Sequence, residues 1–229
     1  MAESVVVATS TSTHDNPIQT KTAELGCRCY RGSEHDVLER FIQAGESVWA
    51  DAVVRITADC PFIDPEVVDG TISYFKEEEL DYAGCVHVRS FPRGLDVEVI
   101  KLSALRLAFA ATLKQHHREH VTPFLYEHPE MFRIAPYVAE GGWHRPDLRF
   151  CLDSPEDLVL LREIHDAALR PAPEALNVAS LISEIDESPN FKARMKTAED
   201  WHHQKNLSEG IQHTTNHRYQ IQVGRTFLA

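Results

Sequence analysis

Basic residues are too few in this chain to favour a nucleic-acid partner. There are 23 Lys and Arg against 35 Asp and Glu, for a net charge of −12, and proteins that bind phosphate backbones carry an excess of Lys and Arg. A single nucleotide needs only a local site, so nucleotide binding is not excluded. The five cysteines are odd in number and lack paired C-x-x-C spacing. We therefore expect neither a disulfide framework nor a structural zinc site.

Long apolar runs are also missing. No stretch approaches the roughly 20 apolar residues that span a bilayer, and the first residues, Met1 to Ser4, show neither the basic region nor the apolar core of a signal peptide. These absences predict a cytoplasmic enzyme or binding protein with no membrane partner. None of the ten glycines lies in a Gly-rich phosphate loop of familiar spacing.

One stretch combines a buried strand, a polar turn and a helix start. Val53 to Ile56 is a short, mainly apolar run, and Asp64-Pro65 supplies an N-cap and a favoured first helical residue. Asp59 lies between them at the carboxyl end of the strand, where ligands bind in open α/β sheets. Asp59 is therefore either a ligand-binding carboxylate or a turn residue. Arg55, inside the strand, is either a paired buried charge or a residue facing the ligand cleft.

Strands and helices are predicted to alternate through the first part of the chain. Predicted strands at 4–8, 27–30, 53–56 and 81–86 are separated by helical patterns at 16–25, 33–42 and 65–79. Such alternation is typical of βαβ units. We predict an α/β fold, a three-layer α/β/α Rossmann-like domain with a mainly parallel sheet.

A second stretch near residue 150 has the same pattern of a strand, a polar turn and a helix start. A predicted strand, 148–152, ends at Asp153, and Ser154, Pro155 and Asp157 form a helix start with capping-box spacing. Beyond Glu187 the composition becomes polar. We therefore predict one domain over residues 1–187 and a polar C-terminal extension over 188–229, peripheral or partly disordered, whose histidines are surface residues: His202, His203, His213 and His217.

A short motif favours a different enzyme class. Residues 116–120, His-His-Arg-Glu-His, match the H-x-x-E-H pattern of inverted zinc peptidases. His116 and His120 would bind zinc and Glu119 would act as the base. Histidine-rich sequences produce this pentapeptide by chance, so the peptidase remains a remote alternative.

Six ordered motifs resemble one family. They are VVVATS, RGSEHDVLERF, VVRITADCPFIDPEVVD, FPRGLDVEV, REHVTPFLYEHPEMFR and LRFCLDSPEDLVLLREI, between Ser4 and His165. Together they resemble the SpsF-like cytidylyltransferases, relatives of the CMP-Kdo and CMP-sialic acid synthetases. The resemblance implies a fold of the nucleotide-diphospho-sugar transferase type.

The resemblance also implies a reaction and its site. The reaction is transfer of CMP from CTP to a sugar or sugar acid, with release of pyrophosphate, for polysaccharide or glycoconjugate synthesis. Asp59 and Asp153 match the family's catalytic aspartates that hold Mg²⁺, a cation that prefers carboxylate, phosphate and water oxygens. Relatives of this type are often dimers, so a homodimer is an option.

Further residues receive roles from the same resemblance. The nucleotide-binding residues are expected to be Ser10, Thr11, Arg31 and Thr57, the last near the cytosine. The sugar side is expected to include Arg93, Asp96, Glu98, Arg118 and His120.

The sequence departs from the family pattern at the N-terminus. Family members begin with a strand and a loop like Q-A-R-x-x-S-x-R-L-P-G-K, whose amides and basic residues bind the triphosphate, whereas this sequence starts at what corresponds to the family's second strand. We therefore expect triphosphate binding without the family's main anion site. The alternative to an active transferase is a non-catalytic, truncated or regulatory member of the same family.

Overall fold

The computed structural model describes residues 2–169 and 177–208. The strands are β1 (Val6–Ser10), β2 (Arg28–Gly32), β3 (Ala52–Arg55), β4 (Tyr82–Gly84), β5 (Glu98–Lys101) and β6 (Ile134–Pro136). The α-helices are α1 (Asn16–Glu24), α2 (Val37–Glu46), α3 (Pro65–Glu77), α4 (Leu102–Ala111), α5 (Gln115–His120), α6 (Pro123–Glu127), α7 (Pro155–Leu169), α8 (Val178–Glu187) and α9 (Pro189–Ser208). None of the described helices is long and apolar enough to cross a membrane.

The strands form two sheets, and the predicted α/β class is confirmed. β1 and β2 pair in parallel, and a second sheet has the order β3-β5-β4-β6. In that sheet β4 and β6 are parallel, while β5 runs antiparallel to both β3 and β4. The larger sheet is therefore mixed. β5 can reverse its direction because the connection from β4 contains no crossover helix, which only a parallel neighbour requires.

Alternate residues of the larger sheet face two separate cores. Ala83 and Val99 belong to a cluster with the apolar faces of α3, α7 and α8. Their chain neighbours, Tyr82 and Ile100, belong to a second cluster with α2, α4 and α6. Because successive strand residues point to opposite faces, this division places helices on both sides of the sheet. It is the expected three-layer arrangement.

Arg55 is a paired buried charge. It lies opposite Glu98 in the β3–β5 register, and its Nη1 is 2.5 Å from Glu98 Oε2. The other Glu98 oxygen accepts a hydrogen bond from the Tyr82 hydroxyl at 2.8 Å. Arg55 Nε remains buried without a hydrogen-bond partner among the described residues. The structure thus decides between the two roles that the sequence left open.

The helix starts follow the predicted caps with one correction. Asp64 caps α3 by accepting from Glu66 N at 2.8 Å, as expected, and its second oxygen accepts from Val178 N at 3.4 Å, at the start of α8. Ser33, where the predicted helical pattern 33–42 begins, is not the N-cap of α2. Asp36 takes that position because its carboxylate accepts from Glu39 N, while the Ser33 hydroxyl accepts from Asp36 N.

The segment that carries the histidine-rich motif forms two short helices, α5 and α6, separated by Val121 at φ 72°, and Pro123 begins the second. The strand predicted over 148–152 is an extended segment joined by a single bridge, Arg93 to Arg149. Its other backbone bonds go to loops, since Leu152 N donates to Asp59 O at 2.8 Å.

The first half of the C-terminal extension is ordered. Pro189–Ser208 forms α9, and Met195 from this helix is buried in the core with α7 and α8. Over these residues the predicted extension is therefore a helix that packs on the core through Met195. His213 and His217 lie outside the described residues, as does the His203 side chain.

Candidate active site

Two polar loops meet where β3 ends. The turn after β3 carries Asp59, and the segment before α7 carries Asp153. The hydrogen bond from Leu152 N to Asp59 O, 2.8 Å long, joins the two loops directly. The structure thus brings the two predicted aspartates onto adjoining backbone segments. Their carboxylates nevertheless belong to separate groups of potential ligands.

Asp59 lies beside two buried thiols. Its carboxylate, the Cys60 thiol and the Cys151 thiol have ligand atoms within 4.8 Å of one another, and Cys60 Sγ is 3.7 Å from Asp59 Oδ1. Thr57 Oγ1 is 3.3 Å from Cys60 Sγ. The hydrogen bond from Cys151 lowers the pKa of the Cys60 thiol. The same contact, together with burial, raises the pKa of the Cys151 thiol.

Asp153 is held by a buried arginine and a second aspartate. Arg149 pairs with Asp153 Oδ2 and, at 3.3 Å, with Asp157 Oδ1. Asp157 Oδ2 also accepts from Asp153 N at 3.0 Å. The Asp153 side chain remains 46% exposed, whereas those of Arg149 and Asp157 are each 4% exposed. Asp153 therefore faces solvent, and the buried side chains of Arg149 and Asp157 hold it in place.

A histidine from α9 contacts the buried Asp157. His202 Nε2 lies 3.1 Å from Asp157 Oδ2, and its side chain is 12% exposed. The prediction that His202 is a surface residue of a mobile tail is wrong, because α9 packs across α7 and buries it. Burial raises the pKa of Asp157, but the bond from Asp153 N, the Ser154 contact and the charge of Arg149 together lower it below its usual value.

The sequence assigned Asp157 only a capping role. Ser154 caps α7, since Asp157 N donates to Ser154 Oγ at 3.1 Å, while the Asp157 carboxylate accepts from Asp153 N at 3.0 Å. Its link to Arg149 was missed. The available signal was the spacing of Arg149, Asp153 and Asp157, four residues apart in each case.

The predicted nucleotide-binding residues of β1 and β2 come together. Arg31 Nε donates to Ser10 O at 2.8 Å, and Arg31 Nη2 donates to Ser12 O at 2.6 Å. Thr11 N donates to Gly32 O at 3.0 Å. Arg31 is thus fixed at the carboxyl end of β1, beside Ser10 and Thr11, and their role in binding a nucleotide stays a prediction.

The predicted sugar-side residues divide into two groups. Arg93 and Asp96 lie in the loop before β5, partly exposed, and Asp96 pairs with Arg89. Glu98, by contrast, has only 1% of its side chain exposed in the Arg55 pair. Gly94, between Arg93 and Asp96 in the sequence, has φ 97°, and a Cβ there would lie 2.7 Å from the Phe150 backbone.

The remaining two predicted sugar-side residues lie on α5. Arg118 is bound within the protein: its Nη1 is 2.8 Å from Asp36 Oδ2, and its guanidinium stacks 3.7 Å from the centre of the Phe109 ring. His120 is exposed. Their contact with a sugar stays a prediction.

The peptidase motif does not form its expected metal site. Among the described residues, His116 groups with His117 and Glu127 as potential metal ligands, and not with Glu119 or His120. The helix α5 is only six residues long, and its His116 and His117 contact Glu127 of α6.

Comparisons with known proteins identify the family of this chain. A family described as Cytidylyltransferase matches residues 1–185. The chain is 32% identical over 192 residues to uncharacterized protein MJ1063 of Methanocaldococcus jannaschii, covering 83% of this chain and 76% of that protein. It is 29% identical over 190 residues to the spore coat polysaccharide biosynthesis protein SpsF of Bacillus subtilis, covering 82% and 77%.

Solved structures show the same relationship. A cytidylyltransferase from Leptospira borgpetersenii is similar with a TM-score of 0.73 and 26% identity, over 82% of this chain and 77% of that one. A CMP:2-keto-3-deoxy-manno-octonic acid synthetase complexed with CTP shares the fold, with a TM-score of 0.50 and 14% identity over 72% and 81%. The resemblance drawn from the six motifs is confirmed, and the chain belongs to the cytidylyltransferase family.

Proposed function

We propose that this protein transfers the cytidylyl group of CTP to a hydroxyl of a sugar or sugar acid and releases pyrophosphate. The acceptor class rests on the similarity to a spore coat polysaccharide biosynthesis protein. The product would serve the synthesis of a surface polysaccharide or glycoconjugate. We place the reaction in the cytoplasm, where CTP is made.

The observation that carries this proposal is the junction of the two aspartate loops. Asp59 accepts through its backbone from Leu152, so the carboxylates of Asp59 and Asp153 arise from neighbouring segments at the end of β3. Strand ends of this kind are where α/β proteins bind nucleotides.

The donor set suits Mg²⁺. Both residues supply carboxylate oxygens, the ligands that Mg²⁺ prefers, and Asp153 is half exposed, with Oδ2 turned to Arg149. A bound Mg²⁺ would neutralise phosphate charge and lower the pKa of an attacking sugar hydroxyl. Asp59 and Asp153 would hold it.

The protein groups around Asp153 act by positioning. Arg149 and Asp157 fix the side chain and the backbone N–H of Asp153, respectively. Arg31, fixed at the end of β1, supplies positive charge at the other expected end of the nucleotide. Rate enhancement in phosphoryl transfer comes mainly from such positioning and from electrostatics.

Calorimetry with CTP and Mg²⁺ tests the proposal. The wild-type chain should bind Mg–CTP, and Asp59→Asn and Asp153→Asn should each weaken Mg-dependent binding. Asp51→Asn is the matched control, because Asp51 is an exposed carboxylate at the opposite end of β3. Its affinity should equal that of the wild type.

A pyrophosphate-release assay with a panel of sugars and sugar acids then tests the reaction. We expect Asp59→Asn to lower kcat/KM by roughly a hundredfold or more, as for loss of a metal ligand. If the wild-type chain binds no Mg–CTP, the transferase proposal is wrong and the chain is a non-catalytic family member.

A further inference from the structure

Three potential metal ligands converge at a corner of the protein formed by α5 and α6. His116 Nε2 lies 3.3 Å from Glu127 Oε1, and His117 Nε2 lies 2.8 Å from Glu127 Oε2. The ligand atoms of all three residues lie within 4.8 Å of one another. None of them belongs to the Asp59–Asp153 region, so the cluster is separate from the proposed active site.

The spacing of these atoms is close to that around a tetrahedral zinc ion. Zinc binds imidazole nitrogen and carboxylate oxygen at about 2.0–2.1 Å, which puts neighbouring ligand atoms about 3.3–3.4 Å apart in a tetrahedron. The His116–Glu127 distance, 3.3 Å, already has this value. The His117–Glu127 distance, 2.8 Å, is that of a hydrogen bond, and a shift of about half an ångström would accommodate the ion.

The second ring nitrogen of His117 is also held. His117 Nδ1 is 2.7 Å from Thr112 Oγ1, and the same oxygen accepts from Lys114 N at 3.1 Å. A hydroxyl has two lone pairs, so Thr112 has one left to accept from Nδ1–H. With Nδ1 occupied in this way, Nε2 is the ring nitrogen left to bind zinc, in place of its hydrogen bond with Glu127. Zinc-binding histidines are commonly oriented through their other ring nitrogen in this way.

Burial rises from the outer ligand to the inner one. The side chain of His116 is 49% exposed, that of Glu127 17% and that of His117 1%. The inner histidine packs edge-on against Phe124, with ring centroids 5.4 Å apart. The cluster therefore has a rigid, dry side and an open side, through which an ion can enter and where water can bind.

We propose that His116, His117 and Glu127 bind one zinc ion, with water in the fourth position. The site differs from the H-x-x-E-H pattern in the sequence, because the ligands are adjacent histidines of α5 and a glutamate of α6. Zinc would link the two helices across the turn at Val121, a β-branched residue at φ 72°. Such a backbone conformation is costly for this residue type, and a metal link would hold it.

Zinc titration of the untagged, chelator-treated full chain, in competition with a chromophoric chelator, tests this inference. We expect the wild type to bind one zinc ion, and we expect the zinc affinity of His116→Ala and of Glu127→Gln to be lower by more than about a hundredfold. Thr112→Val should weaken binding by about 10–100-fold, the range for loss of a residue that orients a ligand. Zinc should also raise the Tm of the wild type but not that of His116→Ala.

Two exposed residues of the same helix are the matched controls. His120→Ala and Glu119→Gln remove the other members of the peptide motif and should leave zinc affinity unchanged. Circular dichroism of each variant without metal confirms that the fold is retained. If zinc affinity in His116→Ala equals that of the wild type, or if His120→Ala loses zinc as His116→Ala does, the inference is wrong.

Cobalt substitution separates this site from the thiol pair near Asp59. Cobalt bound by two histidines and a glutamate should show tetrahedral d–d absorption without a thiolate charge-transfer band. A strong thiolate band that persists in His116→Ala would place the ion at Cys60 and Cys151 and would overturn the assignment. The inference does not depend on the proposed transferase activity.

Discussion

The buried pair between Arg55 and Glu98 offers a sharp test of the fold. Glu98→Gln would retain the shape of the side chain and its hydrogen bond with the Tyr82 hydroxyl. It would remove the negative charge that lies 2.5 Å from the Arg55 guanidinium. Arg55 would then remain inside the sheet without a counter-charge, since its side chain is only 17% exposed.

The expected cost follows from this geometry. Removing one partner of a buried ion pair costs about 3–5 kcal/mol. We expect the lower end, about 3 kcal/mol, because Arg55 keeps some solvent contact and its guanidinium lies 5.8 Å from the centre of the Phe41 ring. For a domain of this size, a loss of that amount lowers Tm by roughly 6–12 °C.

Urea unfolding in a double-mutant cycle measures the pair itself. Arg55→Met and Glu98→Gln should each destabilise the protein, and the double variant should lose less than their sum, with a coupling energy above about 1 kcal/mol. Glu24→Gln is the control, because it removes a charge from the exposed Lys21–Glu24 pair. It should change stability by less than about 1 kcal/mol.

Two outcomes would refute this reasoning. One is additive energies in the cycle. The other is a Glu98→Gln variant that keeps wild-type stability but no longer binds the sugar acceptor. That result would favour the sugar contact predicted from the family resemblance.

Three other predictions concern local geometry. The pKa of Asp15 is lowered to about 2 by its hydrogen bonds with Ser10 and Thr9. Its contribution to stability is therefore present above about pH 4 and is lost as the pH falls to 2. In acid unfolding, the free energy of unfolding of Asp15→Asn should depend less on pH in that range. Gly94→Ala should cost at least about 2 kcal/mol in urea unfolding, whereas Gly26→Ala, also at positive φ but with nothing within 4 Å of the added Cβ, should cost about 1–2 kcal/mol; equal costs would contradict the close approach at Gly94. Asp64→Ala should cost about 1–2 kcal/mol through loss of the α3 cap, and an unchanged midpoint of urea unfolding would argue against that role.

Much of the fold was predictable because its signals are local. The N-cap at Asp64 and the strand–helix alternation depend on neighbouring residues, and they are confirmed. The direction of β5 was not predictable, since a strand pattern is the same whichever way the strand runs. That α9 forms and packs on the core was not predicted for a related reason. Its composition is polar, and the burial of Met195 depends on the core that it contacts.

The candidate site shows the same division. The sequence alone supplied the family, through six motifs in order, and marked Asp59 and Asp153 as strand-end carboxylates. Only the tertiary structure brought His202 of α9 to Asp157, because that contact joins residues 45 positions apart in the sequence. It also replaced the sequence pair His116 and His120 by the spatial group of His116, His117 and Glu127. Local patterns determine which elements form and which residue types they carry, but long-range packing decides which side chains meet.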